Sequence, residues 1–208
     1  ITALLVCIWF SIRLDETLLP ESRQPLSFRK IRNGMIEVLK TRTALGYTLA
    51  TGFLFSPFVG YLSSSQQIFA DGYGKKDEFP LLFASLALTF GVASLVNARL
   101  VYRYGLKRLC FASVSVITGL SGIFLLGILG MDKMPPLWLF MGYMMIIFPG
   151  IGFLFGNLNA LAMEPLGHIA GVGAAMIGSL SSLISIPLGI LIAGCLLYTS
   201  PSPRDGIG

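Results

Sequence analysis

The sequence is poor in charge. Of its 208 residues only 12% are charged, 15 basic and 10 acidic, whereas 54% are hydrophobic. Soluble domains carry about 25% charged residues, and their surfaces need them. The mean hydropathy of +0.78 points the same way. This shortage excludes an ordinary water-exposed globule and indicates that a lipid bilayer is the solvent of the chain.

Cysteine and histidine are scarce as well, at three residues and one residue. Cys7 and Cys110 stand inside apolar runs, which predicts neither a disulfide framework nor a metal site. His168 has no second histidine one turn away, and no nucleophile is paired with a base. We therefore expect no enzymatic activity, no cofactor and no metal.

Long apolar runs are abundant. A membrane-spanning helix needs roughly 20 mostly apolar residues, because its backbone polar groups must be satisfied within the segment. Residues 1–12 lack a basic leader, so we interpret them as the end of an upstream helix and not as a signal peptide. The sequence thus predicts an all-α polytopic membrane protein, with five full spans at 45–66, 79–98, 109–130, 137–161 and 171–194.

The loops between the runs differ in charge. Residues 13–44 contain seven basic side chains and residues 99–108 contain four, while the loop at 71–78 holds three acidic residues against two lysines. Two crossings separate the basic loops, so the positive-inside rule places both in the cytoplasm. The cations flank apolar helices without interleaved stacking aromatics, which argues against nucleic acid and favours the lipid bilayer as partner.

Residues 13–44 read as a cytoplasmic linker that ends in a surface helix. From about Ser27 the segment is compatible with a helix, and its apolar residues recur at helical spacing. Such an amphipathic helix is expected to lie along the lipid headgroups. The apolar positions are Phe28, Ile31, Met35, Ile36 and Leu39.

No ionisable residue lies deep in any of the five runs, although intramembrane charges usually mark proton relays. Uncharged polar residues do enter them. Leu54, Phe58, Tyr61 and Ser65 share one helical face that mixes aromatic and hydroxyl groups. Such a face suits amphiphilic ligands, but it is also typical of helix packing. As candidate substrate-lining residues we select Tyr61, Ser65, Asn157 and Asn159.

The loop from Asn97 to Leu109 resembles a signature of the major facilitator superfamily. Arg103, Gly105, Lys107 and Arg108 match the pattern, whereas Ala98 stands where glycine is preferred and Tyr102 where aspartate is preferred. The resemblance implies a conformational role for this loop. Its residues are Arg99, Arg103, Gly105, Lys107 and Arg108.

Three further segments resemble the Bcr/CflA drug-resistance branch of that superfamily: 13–23, 61–74 and 162–171. The resemblance implies that 1–12 end helix six and that 45–194 form a C-terminal bundle of helices seven to eleven. It further implies proton-coupled export of drugs or other small amphiphilic compounds, by an antiporter of the bacterial inner membrane. The proton-binding acids would belong to the missing N-terminal half.

Two other functions stay open. A major-facilitator importer or exporter of a specific metabolite would use the same fold, because fold does not determine substrate. A non-transporting membrane receptor or scaffold is the second alternative. Residues 195–208 resemble a translated sequencing adapter, and we treat them as non-native.

Overall fold

The computed structural model describes residues 2–13, 27–131 and 134–199. The chain divides after Asn33 into a short N-terminal unit and a large unit that begins at Gly34. In the first unit α1 comprises Thr2–Arg13, where the sequence predicts the end of a helix. Most of the predicted linker, residues 14–26, lies outside the described residues, as do residues 200–208 of the predicted adapter.

The predicted surface helix is α2, Phe28–Lys40. Val38 is fully buried, and a Cβ on Gly34 would meet the Val172 side chain at 3.0 Å, so these two positions mark the packed side of the helix. The predicted apolar positions Phe28 and Leu39 are exposed. The helix therefore has a second apolar side that is not packed, and its place along the headgroups stays a prediction.

Five long helices make up the rest of the large unit. No strand occurs among the described residues, which confirms the all-α prediction. The helices are α3 (Arg42–Gln67, continued by a π-helical turn at Ile68–Gly72), α4 (Phe79–Tyr104), α5 (Leu106–Ile128), α6 (Leu137–Met163) and α7 (Ala170–Thr199), with a 3₁₀ segment at Glu164–Ile169 between the last two.

In the part of the chain that the structure describes, four continuous segments are long and apolar enough to cross a membrane: Arg42–Gly72, Phe79–Tyr104, Leu106–Ile128 and Leu137–Cys195. The last has 59 residues and contains both α6 and α7. Because one crossing takes roughly 20 residues, that length is sufficient for two. The prediction of a polytopic membrane bundle is confirmed, while the number of crossings and the domain boundaries stay predictions.

A single glycine joins α4 to α5. Gly105 has a φ of +80°, a conformation that side chains with a Cβ rarely adopt. Its N–H donates to the Val101 carbonyl at 2.8 Å, which closes the end of α4. The α4–α5 turn and the 3₁₀ segment lie at the same end of the bundle, because the helices alternate in direction. We call this the basic end.

The opposite, acidic end carries the loops after α3 and α5. Lys75 and Glu78 form an exposed ion pair at 2.6 Å. The Tyr73 hydroxyl donates to the Pro135 carbonyl at 3.0 Å and so links the two loops. The chain reverses at both ends through short, bonded connections, which holds the helices at adjacent positions.

Small residues bring α3 and α7 together. A Cβ on Gly60 would lie 3.1 Å from the Gly189 carbonyl oxygen, and a Cβ on Gly52 would lie 2.8 Å from Ile184. This spacing places the two backbones in near contact, as is common for helices packed in membranes. α6 is the central helix, since it contacts α3, α4 and α5.

Candidate functional site

Aromatic rings fill the space where α3 meets α6 and α4. Tyr61 packs edge-on against Phe148 with ring centroids 5.4 Å apart. Phe58 also contacts Phe148, at 5.5 Å, and stacks on Phe90 of α4 at 6.0 Å. We call the contact between α3 and α6 the aromatic seam, and it comprises Phe55, Phe58, Tyr61, Phe148 and Phe155.

One pair of the aromatic seam is accessible. Phe55 and Phe155 have ring centroids 4.4 Å apart and bridge α3 and α6. Phe155 is 45% exposed. Neither residue is predictable from local sequence, because a pair one hundred positions apart leaves no local pattern.

Tyr61 is placed inside the bundle. Only 7% of the residue is exposed, and its hydroxyl has no hydrogen-bond partner among the described residues. A buried polar group without a partner costs about 1–3 kcal/mol. The phenol lies inside the bundle among aromatic rings, and its role as a substrate-lining residue stays a prediction.

Ser65 is also buried, with 3% exposure. Its hydroxyl donates to the Leu62 carbonyl of its own helix at 3.2 Å. Serine hydroxyls in membrane helices commonly bond back to the preceding turn. Because this donor is already engaged, a ligand would have to offer a donor to the Ser65 oxygen or compete for its proton.

Asn157 forms a reciprocal amide pair with Asn97. The Asn97 Nδ2 donates to the Asn157 Oδ1 at 3.0 Å, and the Asn157 Nδ2 donates to the Asn97 Oδ1 at 2.9 Å. Asn157 is 2% exposed. The pair connects α4 to α6. The two helices are also closely packed nearby, since a Cβ on Gly152 of α6 would lie 3.5 Å from the Ala93 Cβ of α4. The amides of the pair satisfy one another.

Asn159 is the partly exposed member of the four predicted residues. Its Nδ2 donates to the Phe155 carbonyl at 2.8 Å. Residues four apart share a helical face, so Asn159 and the Phe155 ring lie on the same side of α6. Tyr61 contacts Phe148, and Asn157 lies nine residues beyond Phe148 on α6, about 13 Å along the helix axis. The structure therefore does not bring the four predicted residues together in one cluster.

The predicted loop motif lies at the basic end. Arg99 and Arg103 belong to the last turns of α4, and Lys107 and Arg108 to the first turn of α5. The Arg103 guanidinium stands 5.5 Å from the centre of the Tyr104 ring. Within the described part of the chain none of the four cations forms an ion pair. Tyr102, at the position where aspartate is preferred, is 96% exposed.

His168 contacts one acid among the described residues. Its Nε2 lies 2.7 Å from the Glu37 carboxylate, and the pair joins α2 to the 3₁₀ segment. One imidazole and one carboxylate do not make a metal-ligand set. Over the described ranges no group of three histidine, cysteine or acidic residues lies close enough to hold a metal.

Two curated relatives match the chain over most of its length. It is 28% identical over 186 residues to the uncharacterized MFS-type transporter YdgK of Bacillus subtilis, covering 88% of this chain and 45% of the relative. It is 25% identical over 195 residues to a bicyclomycin resistance protein homolog of Haemophilus influenzae, and this match covers 90% of this chain and 46% of the relative. The chain thus spans about half the length of these relatives. No family model and no solved structure matches it.

Proposed function

Because this chain is related along most of its length to transporters of the major facilitator superfamily of the Bcr type, we propose that it is the C-terminal half of a drug exporter. In this proposal the whole protein moves small amphiphilic compounds out of the cell in exchange for protons. It sits in the bacterial inner membrane, and a second half completes the translocation path.

The chemistry of the aromatic seam supports amphiphilic substrates. Neither α6 nor α7 contains an acidic, basic or histidine residue, and α3 has none after Arg42. The groups on these helices that could contact a substrate are ring faces, amides and hydroxyls. Aromatic pairs add about 0.5–1.5 kcal/mol beyond burial alone. A compound with a flat apolar part and a hydrogen-bonding group matches that set.

One observation carries the proposal: the accessible pair Phe55 and Phe155, with Asn159 one turn away on the same face of α6. The rings supply the apolar contact and the amide supplies the polar one. Sites at the interface of two repeats near the bilayer midplane are typical of secondary transporters. We therefore propose that Phe55, Phe155 and Asn159 contact the substrate.

Tyr61, Ser65 and Asn157 remain in the proposal as inner lining residues. Their burial means that a substrate reaches them only after the helices around the aromatic seam have parted. The Tyr61 hydroxyl is the group among them that gains most from such a contact, because it has no hydrogen bond to any described residue that it would lose.

Proton coupling is assigned to the other half. A proton relay needs an ionisable group within the membrane, and the described spans carry their charges only at the helix ends. In alternating access the two halves rock about the shared site, so a carboxylate in one half can control a site lined by both. We expect at least one acidic residue in an early span of the complete protein.

The test uses the complete gene in a drug-sensitive host, with dye accumulation as the measurement. Phe155→Ala and Asn159→Ala are each expected to raise the apparent KM about 3- to 10-fold, which corresponds to the loss of one aromatic or amide contact. Phe111→Ala is the matched control, because Phe111 is 76% exposed on α5 and lies outside the aromatic seam. Wild-type efflux in both seam variants would contradict the proposed contacts.

A second measurement separates export from the alternatives. In everted vesicles an imposed pH gradient is expected to drive uptake of the dye, because these vesicles present the cytoplasmic face outward. Movement of a single metabolite without dye transport would favour a specific metabolite carrier. No transport of either kind by the complete, folded protein would favour a receptor or scaffold.

A further inference from the structure

A pocket lies at the basic end between the α4–α5 turn and the end of α6. It has a volume of about 370 Å³ and mixes apolar walls with charged ones. We call it the headgroup pocket. It is lined by Tyr104, Gly105, Leu106, Lys107, Arg108, Leu161 and Glu164.

The charge around the headgroup pocket is predominantly positive. Lys107 and Arg108 line it, and Arg99 and Arg103 occupy the preceding turns of α4. Among the described residues Glu164 is the only acid that lines the pocket, and it forms no ion pair there with these cations. Basic side chains at a membrane edge that lack carboxylate partners in the described chain can bind an anionic group from outside.

A second cavity, an apolar groove, lies between α5 and α6, and its α5 residues directly follow those of the headgroup pocket along the helix. It has a volume of about 440 Å³ and almost entirely apolar walls. We call it the acyl groove. Its main lining residues are Leu109, Ala112, Val116, Met145, Ile146 and Phe153.

The dimensions agree with one leaflet of a bilayer. The acyl groove covers α5 positions 109–116, which directly follow the pocket residues 106–108. At 1.5 Å per residue it ends about 14 Å beyond Lys107. A hydrocarbon core of ~30 Å gives each leaflet about 15 Å. A cationic cavity and an apolar groove therefore follow one another along α5 over a length that matches a single lipid molecule.

We propose that this surface binds an anionic phospholipid, with its phosphate in the headgroup pocket against Lys107 and Arg108 and an acyl chain in the acyl groove. The bound lipid connects the α4–α5 turn to α6, and so stabilises the basic end. Charge selects the occupant, because two cations and one acid line the pocket and two further arginines stand in the preceding turns of α4, and the groove supplies the apolar contact that a free phosphate ion cannot use. The proposal does not depend on which compound the protein transports.

The test measures lipid binding to the complete protein in detergent, by native mass spectrometry and by the shift in melting temperature. The probes are phosphatidylglycerol, phosphatidylethanolamine and inorganic phosphate. We expect phosphatidylglycerol to remain bound and to raise the melting temperature by a few degrees. Phosphatidylethanolamine should bind more weakly, and inorganic phosphate should produce no shift.

Lys107→Gln/Arg108→Gln should weaken phosphatidylglycerol binding about 30-fold, since each basic residue near an anionic surface contributes about fivefold. Lys75→Gln/Lys76→Gln at the acidic end is the control of equal charge change and should bind like wild type. Ala112→Trp fills the acyl groove without altering charge, and it should also reduce binding. For every variant the melting temperature without lipid establishes that the protein is folded.

Several results would overturn the proposal. If the two double charge variants weakened phosphatidylglycerol binding equally, the lipid would be attracted by the net charge of the protein and not by a specific site. If inorganic phosphate raised the melting temperature as much as phosphatidylglycerol does, the pocket would be a site for a free anion. Retention of no lipid by the complete protein would mean that another segment covers the groove. Preference for phosphatidylethanolamine would mean that Glu164 recognises an ammonium group and that the lipid is zwitterionic.

Discussion

Replacing Asn157 by alanine tests whether the amide pair with Asn97 holds α4 against α6. The substitution removes two hydrogen bonds of 2.9 and 3.0 Å. It also leaves the Asn97 amide without its partner. We expect Asn157→Ala to lower the free energy of unfolding and to weaken the contact between the two helices.

The magnitude follows from the geometry. Hydrogen bonds between membrane helices contribute ~0.6 kcal/mol each on average, so two bonds account for about 1.2 kcal/mol. Leaving the partly buried Asn97 amide unpaired adds about 1 kcal/mol, the lower end of the range for an unsatisfied group. Each single substitution should therefore cost about 2 kcal/mol. The double variant Asn97→Ala/Asn157→Ala should cost less than the sum of the two single substitutions, because it leaves no unpaired amide.

The assay is a double-mutant cycle on unfolding in mixed detergent micelles. A coupling energy of about 3 kcal/mol is expected, because each single variant costs about 2 kcal/mol whereas the double variant loses only the ~1.2 kcal/mol of the two bonds. A second variant, Asn157→Asp, supplies a pH signal. Its neutral carboxyl can donate to the Asn97 oxygen and accept from the Asn97 nitrogen, whereas the ionised form cannot donate. Stability of this variant should therefore fall as pH rises. Additive single substitutions, or a flat pH response, would refute the reasoning.

Two further outcomes are expected. Gly189→Ala should destabilise the protein by about 1–3 kcal/mol in the same unfolding assay, because its Cβ would lie 2.6 Å from Val59. The control, Gly178→Ala, has nothing within 4 Å of its Cβ and should change stability by less than about 0.5 kcal/mol. Equal effects of the two substitutions would contradict close α3–α7 packing. Burial raises the pKa of the Tyr73 hydroxyl, so the stability that this group contributes is complete below about pH 10 and is lost as pH rises further. Tyr73→Phe should remove that alkaline loss, and an unchanged alkaline profile would contradict a role for the bond to Pro135.

Much of the helical fold could be predicted from the sequence because the bilayer imposes a length. The run predicted at 137–161 agrees with α6 at Leu137–Met163 to within two residues. The largest difference concerns α4, which was expected to end at 98 and continues to Tyr104. Arg99 and Arg103 end an apolar run but not a helix, since both residues are good helix formers and their heads can reach water. The helix ends instead at Gly105, where the backbone has a positive φ.

The candidate site was less predictable, because its contacts join distant positions. Asn157 was selected as a substrate-lining residue from its polarity within an apolar run. Its partner Asn97 is 60 residues away, and periodicity along one helix does not register such a pair. Phe55 and Phe155 escaped selection for the same reason. Asn159 differs, because its hydrogen bond stays within its own helix and leaves the side chain partly exposed.

The six-residue 3₁₀ segment at Glu164–Ile169 limits how the bundle can deform. At about 2 Å per residue it spans only ~12 Å, so the adjoining ends of α6 and α7 are held on a short tether. The adjoining ends of α6 and α7 therefore stay within this distance of each other, and α3 lies alongside because its backbone nearly touches that of α7. Because α6 also contacts α4 and α5, a displacement of α6 at this end would act on every long helix of the large unit.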